Sequence, residues 1–336
     1  MKYLLISLSS CFLLLQVACW SDKGKKIPDV SHIEVVVNIN RFDQALFAVD
    51  TNNLAEAVPA IKKEYPDYLN FYTRQILRDP RPVEAVIPNF IQDASIQHLY
   101  DTCMIVYGRV DDLEADFAKA FQYYKYYFPE RKVPTIMANI SAMNYGAFTY
   151  GADTLGLSWE FYLGKDFPMY HPNLFPVYLK RSMNKEHLVA KSIKALVQNM
   201  MDNSKKNTLL DHMVYNGKVL YIMEQLLPHT PDSIIMEYTE EQLAWSEENE
   251  LQTWTYLIGD DLLYSTRTKD FQKLVFPSPT GTSKMPAASP GRAANWIGKQ
   301  IVSRFMERFP NKSLIDLIAF DDAQKLMESS KYKPKR

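Results

Sequence analysis

Disulfide chemistry is missing from this sequence as a source of stability. Of its three cysteines, two fall at positions 11 and 19, leaving Cys103 as the one thiol of the remaining chain. A lone thiol between Thr102 and Met104 reads as packing, so the core itself must hold the fold. A surplus of charge is missing too: 38 Lys and Arg stand against 39 Asp and Glu, a net charge of −1. No nucleic-acid partner is expected, because a basic patch would be needed to neutralise phosphates. Metal-ligand spacing is also absent. The six histidines are His32, His98, His171, His187, His212 and His229, and no two lie three to five residues apart. This removes HExxH, which puts two imidazoles and a glutamate base on one helix. The nearest fragment is Glu186-His187, with Met183 where an inverted HxxEH would need its first histidine. Neither the phosphate-cradling P-loop nor the dinucleotide fingerprint occurs. Ser182-Met-Asn-Lys185 matches SxxK only at the level of chance, and Gly156-Leu-Ser158 lacks the second glycine of GxSxG. No catalytic residue, metal or cofactor is therefore expected.

What is present begins at the N-terminus. Met1-Lys2 precedes an apolar run over residues 3–18 that is short for a membrane span and closes on Gln16-Val17-Ala18-Cys19. We expect a signal peptide over 1–18 and lipidation of Cys19, with Gln16 departing from the usual leucine of a lipobox. The alternative is a plain signal peptide cut near Ala18. Residues 19–30, rich in lysine and glycine early on, are expected to be a tether. The partner implied is then a membrane, held by the lipid anchor at Cys19.

Residues 31–336 read as a single globular α+β domain, mostly helical with a small sheet. The β-branched stretch 32–39 predicts a strand, and 133–140, 145–150 and 154–159 predict three more. Residues 43–128 read as helices, with Pro59, Pro66, Pro80, Pro82 and Pro88 cutting the early part into pieces. On the helix expected over 184–201, Leu188, Ile193, Leu196 and Val197 form the apolar face. His187, Lys191, Lys194 and Gln198 point the other way, which predicts a surface histidine. Ser289 and Pro290 predict the start of another helix, in which Gly298 would admit a close neighbour.

Acidic residues are the most informative polar feature. Thr239-Glu-Glu-Gln242 predicts a capping box, which accounts for Glu240 and Glu241 in the first turn. If one helix runs onward through residue 258, Glu247 and Glu250 fall on its apolar stripe. Glu224 likewise falls in the apolar face of the preceding helix. Buried carboxylates need partners. Arg292, a cation in a first helical turn, would either receive one of them or remain solvated. Glu224, Glu247, Glu250 and Arg292 thus form the candidate polar cluster, structural or part of a ligand site.

Several blocks resemble the gliding motility lipoprotein GldB family of Bacteroidetes. They are Arg41-Phe42-Asp43, Tyr126-Tyr-Phe-Pro129, Tyr162-Leu-Gly-Lys-Asp166, Tyr215-Asn-Gly-Lys-Val-Leu-Tyr221 and Tyr238-Thr-Glu-Glu-Gln-Leu-Ala-Trp245. Glu248-Asn-Glu250, Leu262-Leu-Tyr-Ser-Thr266, Ser289-Pro-Gly-Arg292, Trp296-Ile-Gly298 and Ser330-Lys-Tyr-Lys-Pro334 follow in order. The resemblance implies a lipid-anchored protein of the cell envelope, at the outer membrane, that meets envelope proteins of the motility or secretion machinery. It brings no catalytic residues. It also implies distant similarity to zincin-like peptidases, here a degenerate scaffold whose helix lacks HExxH. The alternative function is a metal-dependent or acid-assisted hydrolase using the inward glutamates.

Overall fold

The N-terminal helices are short because the chain between residues 42 and 93 keeps meeting turn chemistry. The computed structural model, which describes residues 27–201 and 207–335, begins with α1 (Phe42–Phe47), α2 (Leu54–Glu64) and α3 (Pro66–Phe71). A π-helical turn over Tyr72–Ile76 leads to α4 (Val83–Gln92), α5 (Ala94–Tyr107) and α6 (Asp111–Tyr127). Pro66 opens α3, where its missing N–H has no helical partner to lose. Pro59 and Pro88 instead lie inside α2 and α4 without ending them, contrary to the expected breaks. Phe42 is fully buried and meets Tyr65, Tyr68 and Tyr72 edge-on, making an aromatic core of its own beneath these helices.

The sheet matches three of the four predicted strands: β1 (Thr135–Asn139), β2 (Ala147–Tyr150) and β3 (Thr154–Ser158). Its order is β1-β3-β2, with β1 parallel and β2 antiparallel to β3. Phe148 pairs with Gly156, where any Cβ would strike the phenyl ring. The fourth strand expectation is corrected. Residues 32–39 run without a ladder, and only Asn40 bridges to Met137. β-Branched propensity needs a partner strand, and here Ile39 N–H donates to Glu114 Oε1 instead.

After a 3-10 turn at Trp159–Tyr162 come α7 (Val177–Lys180), α8 (Lys185–Asn199), α9 (Leu209–Leu226) and α10 (Asp232–Met236). The last group is α11 (Glu240–Glu248), α12 (Glu250–Gly259), α13 (Thr268–Val275), α14 (Ala293–Arg308), α15 (Leu314–Ala319) and α16 (Ala323–Ser330). The fold is α+β and mostly helical, a single domain. Its main core is built on α9 and α14, which pack closely along each other. Gly217 and Gly298 make this possible, since a Cβ at either would run into the backbone of the facing helix. α14 begins at Ala293, not at Pro290: Gly291 and Arg292 intervene, and Arg292 takes φ 64° as the N-cap. The expected signal peptide, Cys19 and the tether up to residue 26 lie outside the described residues, while Val30 is packed into the main core.

Candidate functional site

Helix α8 is covered on two sides, and this creates the site. Its N-cap Asn184 accepts from His187 N–H, fixing the start of the helix. Leu188, Ile193 and Leu196 enter the main core, as their spacing predicts. The same spacing predicts a wet opposite face. Instead His187 is buried, and Lys191 and Lys194 are largely covered, because the turn after α10 lies over them. At that turn Glu237 takes the left-handed conformation, φ 55°, which ends α10 and aims its carboxylate at α8.

Three cations face this one carboxylate, and a fourth holds the backbone of the same residue. Lys194 Nζ lies 2.7 Å from Glu237 Oε1 and Lys191 Nζ 3.3 Å from Oε2. Arg292 Nη1 is 3.7 Å from Oε1, while its Nη2 donates to the carbonyls of Met236 and Glu237 at 2.7 and 3.2 Å. Arg181 Nη2 donates to the Glu237 carbonyl at 2.8 Å, and Ser182 Oγ donates to Oε2 at 3.1 Å. Tyr238 completes the wall, its ring under the Arg292 guanidinium at 5.4 Å and its hydroxyl donating to Gly291 O.

Burial pushes the Glu237 carboxyl up, but Lys194, Lys191 and Arg292 outweigh it and hold the group well below the usual carboxylate range. Burial, helped by the neighbouring Lys194 and Arg292, lowers Lys191. Arg181 is lowered by burial and by Arg292. Burial and the nearby Lys191 bring His187 down to about 4, so it is neutral at pH 7. The arrangement leaves positive charge in excess, held in a partly dry place.

The four residues anticipated as one cluster do not share a common set of partners. Glu224 pairs with Lys299 of α14, which also holds Asp232 at 2.8 Å. Glu250 accepts from Tyr332 Oη at 2.8 Å and from Lys335 N–H at 3.2 Å, tying the C-terminal segment to α12. Arg292 does pair with a glutamate, but with Glu237. Glu247 is exposed, which corrects the inward reading. The physical reason is Asn249: it ends α11 and opens α12 with φ −109°, so one helical wheel does not apply across both. The capping box of Thr239 and Gln242 is present as predicted.

Two further buried acids lie outside the candidate cluster, although Asp43 belongs to the Arg41-Phe42-Asp43 block. Asp43 receives Arg41 through two hydrogen bonds, at 3.0 and 2.7 Å, and Trp159 Nε1–H at 2.9 Å. Glu160 Oε1 accepts from Ser141 N–H, Ser141 Oγ–H and Met143 N–H at 2.6, 2.7 and 3.2 Å. With no cation among these partners, burial raises Glu160 to about 7. The signal for Glu237 was indirect: Arg181, Lys191 and Lys194 are too many cations around one packed helix to lack an acid.

The short blocks noted in the sequence meet in pairs. Gly217 faces Gly298, Tyr238 faces Arg292, and Glu250 faces Tyr332. These contacts define a helical α+β protein joined by buried polar and close-packed contacts. Among the described residues, no helix is long and apolar enough to cross a membrane, and no three His, Cys, Asp or Glu side chains converge as a metal group. A family model described as Gliding motility protein GldB matches residues 23–334, and the chain belongs to that family of gliding motility lipoproteins. No curated protein and no solved structure matches the chain.

Proposed function

We propose that this protein is anchored by a lipid at Cys19 to the outer membrane and acts by contact with envelope motility or secretion proteins, not by turnover. The observation that carries the reading is the family match across residues 23–334. The geometry supports it in two ways. Glu224 pairs with Lys299 of α14 and Glu250 holds the C-terminal segment, so both acids are engaged in structural contacts. Meanwhile Leu174 and Val177, 71% and 81% exposed, offer apolar side chains to a partner on the segment before α8. α8, which packs on the small sheet, is on this reading the helix of a degenerate zincin-like scaffold.

A photo-crosslinking residue at 174 or 177, used in cells, should capture the same envelope protein from both positions. Cys19→Ser should release the protein from the membrane fraction. Absence of any reproducible adduct would remove the contact reading, and unchanged membrane retention would remove the anchor.

A further inference from the structure

We infer that the cavity beside Glu237 binds a small organic anion, with its carboxylate or phosphate head on Lys194 and Arg292 and its apolar body against Val275 and Phe276. The cavity measures about 340 Å³ and is lined by these four residues together with Gln198, Asn216 and others from α9, α10, α13 and α14. That volume falls within the usual range of small-molecule sites. Lys194 and Arg292 face the cavity and Glu237 at once.

The argument is one of charge. Lys191, Lys194 and Arg292 gather around a single carboxylate, and Arg181 holds the backbone carbonyl of the same residue. Among the described residues, no acidic side chain lines the cavity itself. Concentrated positive charge out of bulk water is unfavourable unless anions are near, and an entering anion relieves it. Guanidinium and ammonium donors also give carboxylates and phosphates strong, charge-assisted hydrogen bonds. The apolar wall adds a requirement that inorganic ions do not meet: the exposed Phe276 and the buried Val275 both line it. A larger cavity of about 580 Å³ between α6 and α8 has a different character. Its Asp112, Asp116 and Glu186 stand with Lys119 and Lys185, leaving no cationic excess.

This inference does not depend on finding a protein partner, so the crosslinking result and the binding result fail separately. The test is calorimetric titration of the full chain with phenyl phosphate, benzoate, inorganic phosphate and benzyl alcohol. At least one aromatic anion should bind saturably and more weakly as salt rises. Phenyl phosphate against benzoate then assigns the head group. Inorganic phosphate and the neutral alcohol should bind at least about tenfold more weakly, since each lacks one of the two contacts. Lys194→Met should weaken binding about tenfold. Because Lys194 also holds Glu237, Gln198→Glu on the exposed rim is the second variant. It should weaken binding several-fold and leave the fold intact. No saturable binding of either aromatic anion, equal binding of the alcohol or of inorganic phosphate, or affinity unchanged by Gln198→Glu would overturn the inference.

Discussion

Glu160 and Glu237 are both removed from water, yet their surroundings drive them in opposite directions. Glu160 sits in the 3-10 turn after β3 and is held by one hydroxyl and two backbone N–H groups, all neutral. Its remaining oxygen has no hydrogen-bond partner, and the carboxyl is raised to about 7. Glu237 faces ammonium and guanidinium groups and is held ionised far below the usual range. Burial alone therefore does not set the state of a carboxyl; the sign of the charges that share its enclosure does. Glu224 is partnered differently again, sharing Lys299 with Asp232.

The comparison is most easily broken by removing the negative charge from each place. Glu237→Gln leaves the cations facing one another and should destabilise the protein by about 3–5 kcal/mol in urea titrations. Adding Lys191→Met should recover more than about 1 kcal/mol of that loss, since it removes part of the repulsion. Glu160→Gln at pH 7 keeps an oxygen for the Ser141 donors and should change stability by less than about 1 kcal/mol. Equal losses at the two sites would contradict the contrast. Glu224→Gln should fall between them, at about 2 kcal/mol, because Asp232 still holds Lys299.

A pH series sharpens the same point. His187, held at about 4 against an ordinary 6.5, contributes stability that is present above 6.5 and lost as pH falls toward 4. Glu160, at about 7 against 4.5, binds a proton in the folded state that the unfolded chain has released, so its contribution falls as pH rises from 4.5 to 7. The two slopes oppose each other between 4.5 and 6.5. Glu160→Gln should leave stability rising with pH there, and His187→Gln should leave it falling, each by up to about 1.4 kcal/mol per pH unit. Parallel profiles for the two variants would show that these groups do not titrate as described. The smallest effect belongs to Glu247→Ala, within about 0.5 kcal/mol, because that side chain is exposed.

Much of the architecture could be read from local chemistry. The strands at 135–139, 147–150 and 154–158 follow alternating and β-branched residues, and the Thr239 capping box declares the start of α11. Gly298 foretold the close helix contact, although its partner, Gly217, was visible only in three dimensions. The site was less legible for identifiable reasons. A helical wheel assumes one buried face, and α8 has two covered faces, so the wheel puts His187 at the surface. Asn249 resets the phase that assigned Glu247 inward. Glu237 lies in a left-handed turn between Met236 and Tyr238, where no periodicity applies. The sequence leaves Arg292 either solvated or paired with an inward glutamate, and the acid it meets, Glu237, comes from this turn, which sequence spacing does not bring near.

The central claim is the opposite electrostatic state of two enclosed carboxyls, and carboxyl carbon NMR of glutamate-labelled protein tests it most directly. Resonances assigned through Glu160→Gln and Glu237→Gln should separate on titration. Glu160 should lose its proton near pH 7, while Glu237 should stay ionised down through the ordinary glutamate range until the fold fails. If both carboxyls titrate together near 4.5, the cationic centre does not exist in the form described.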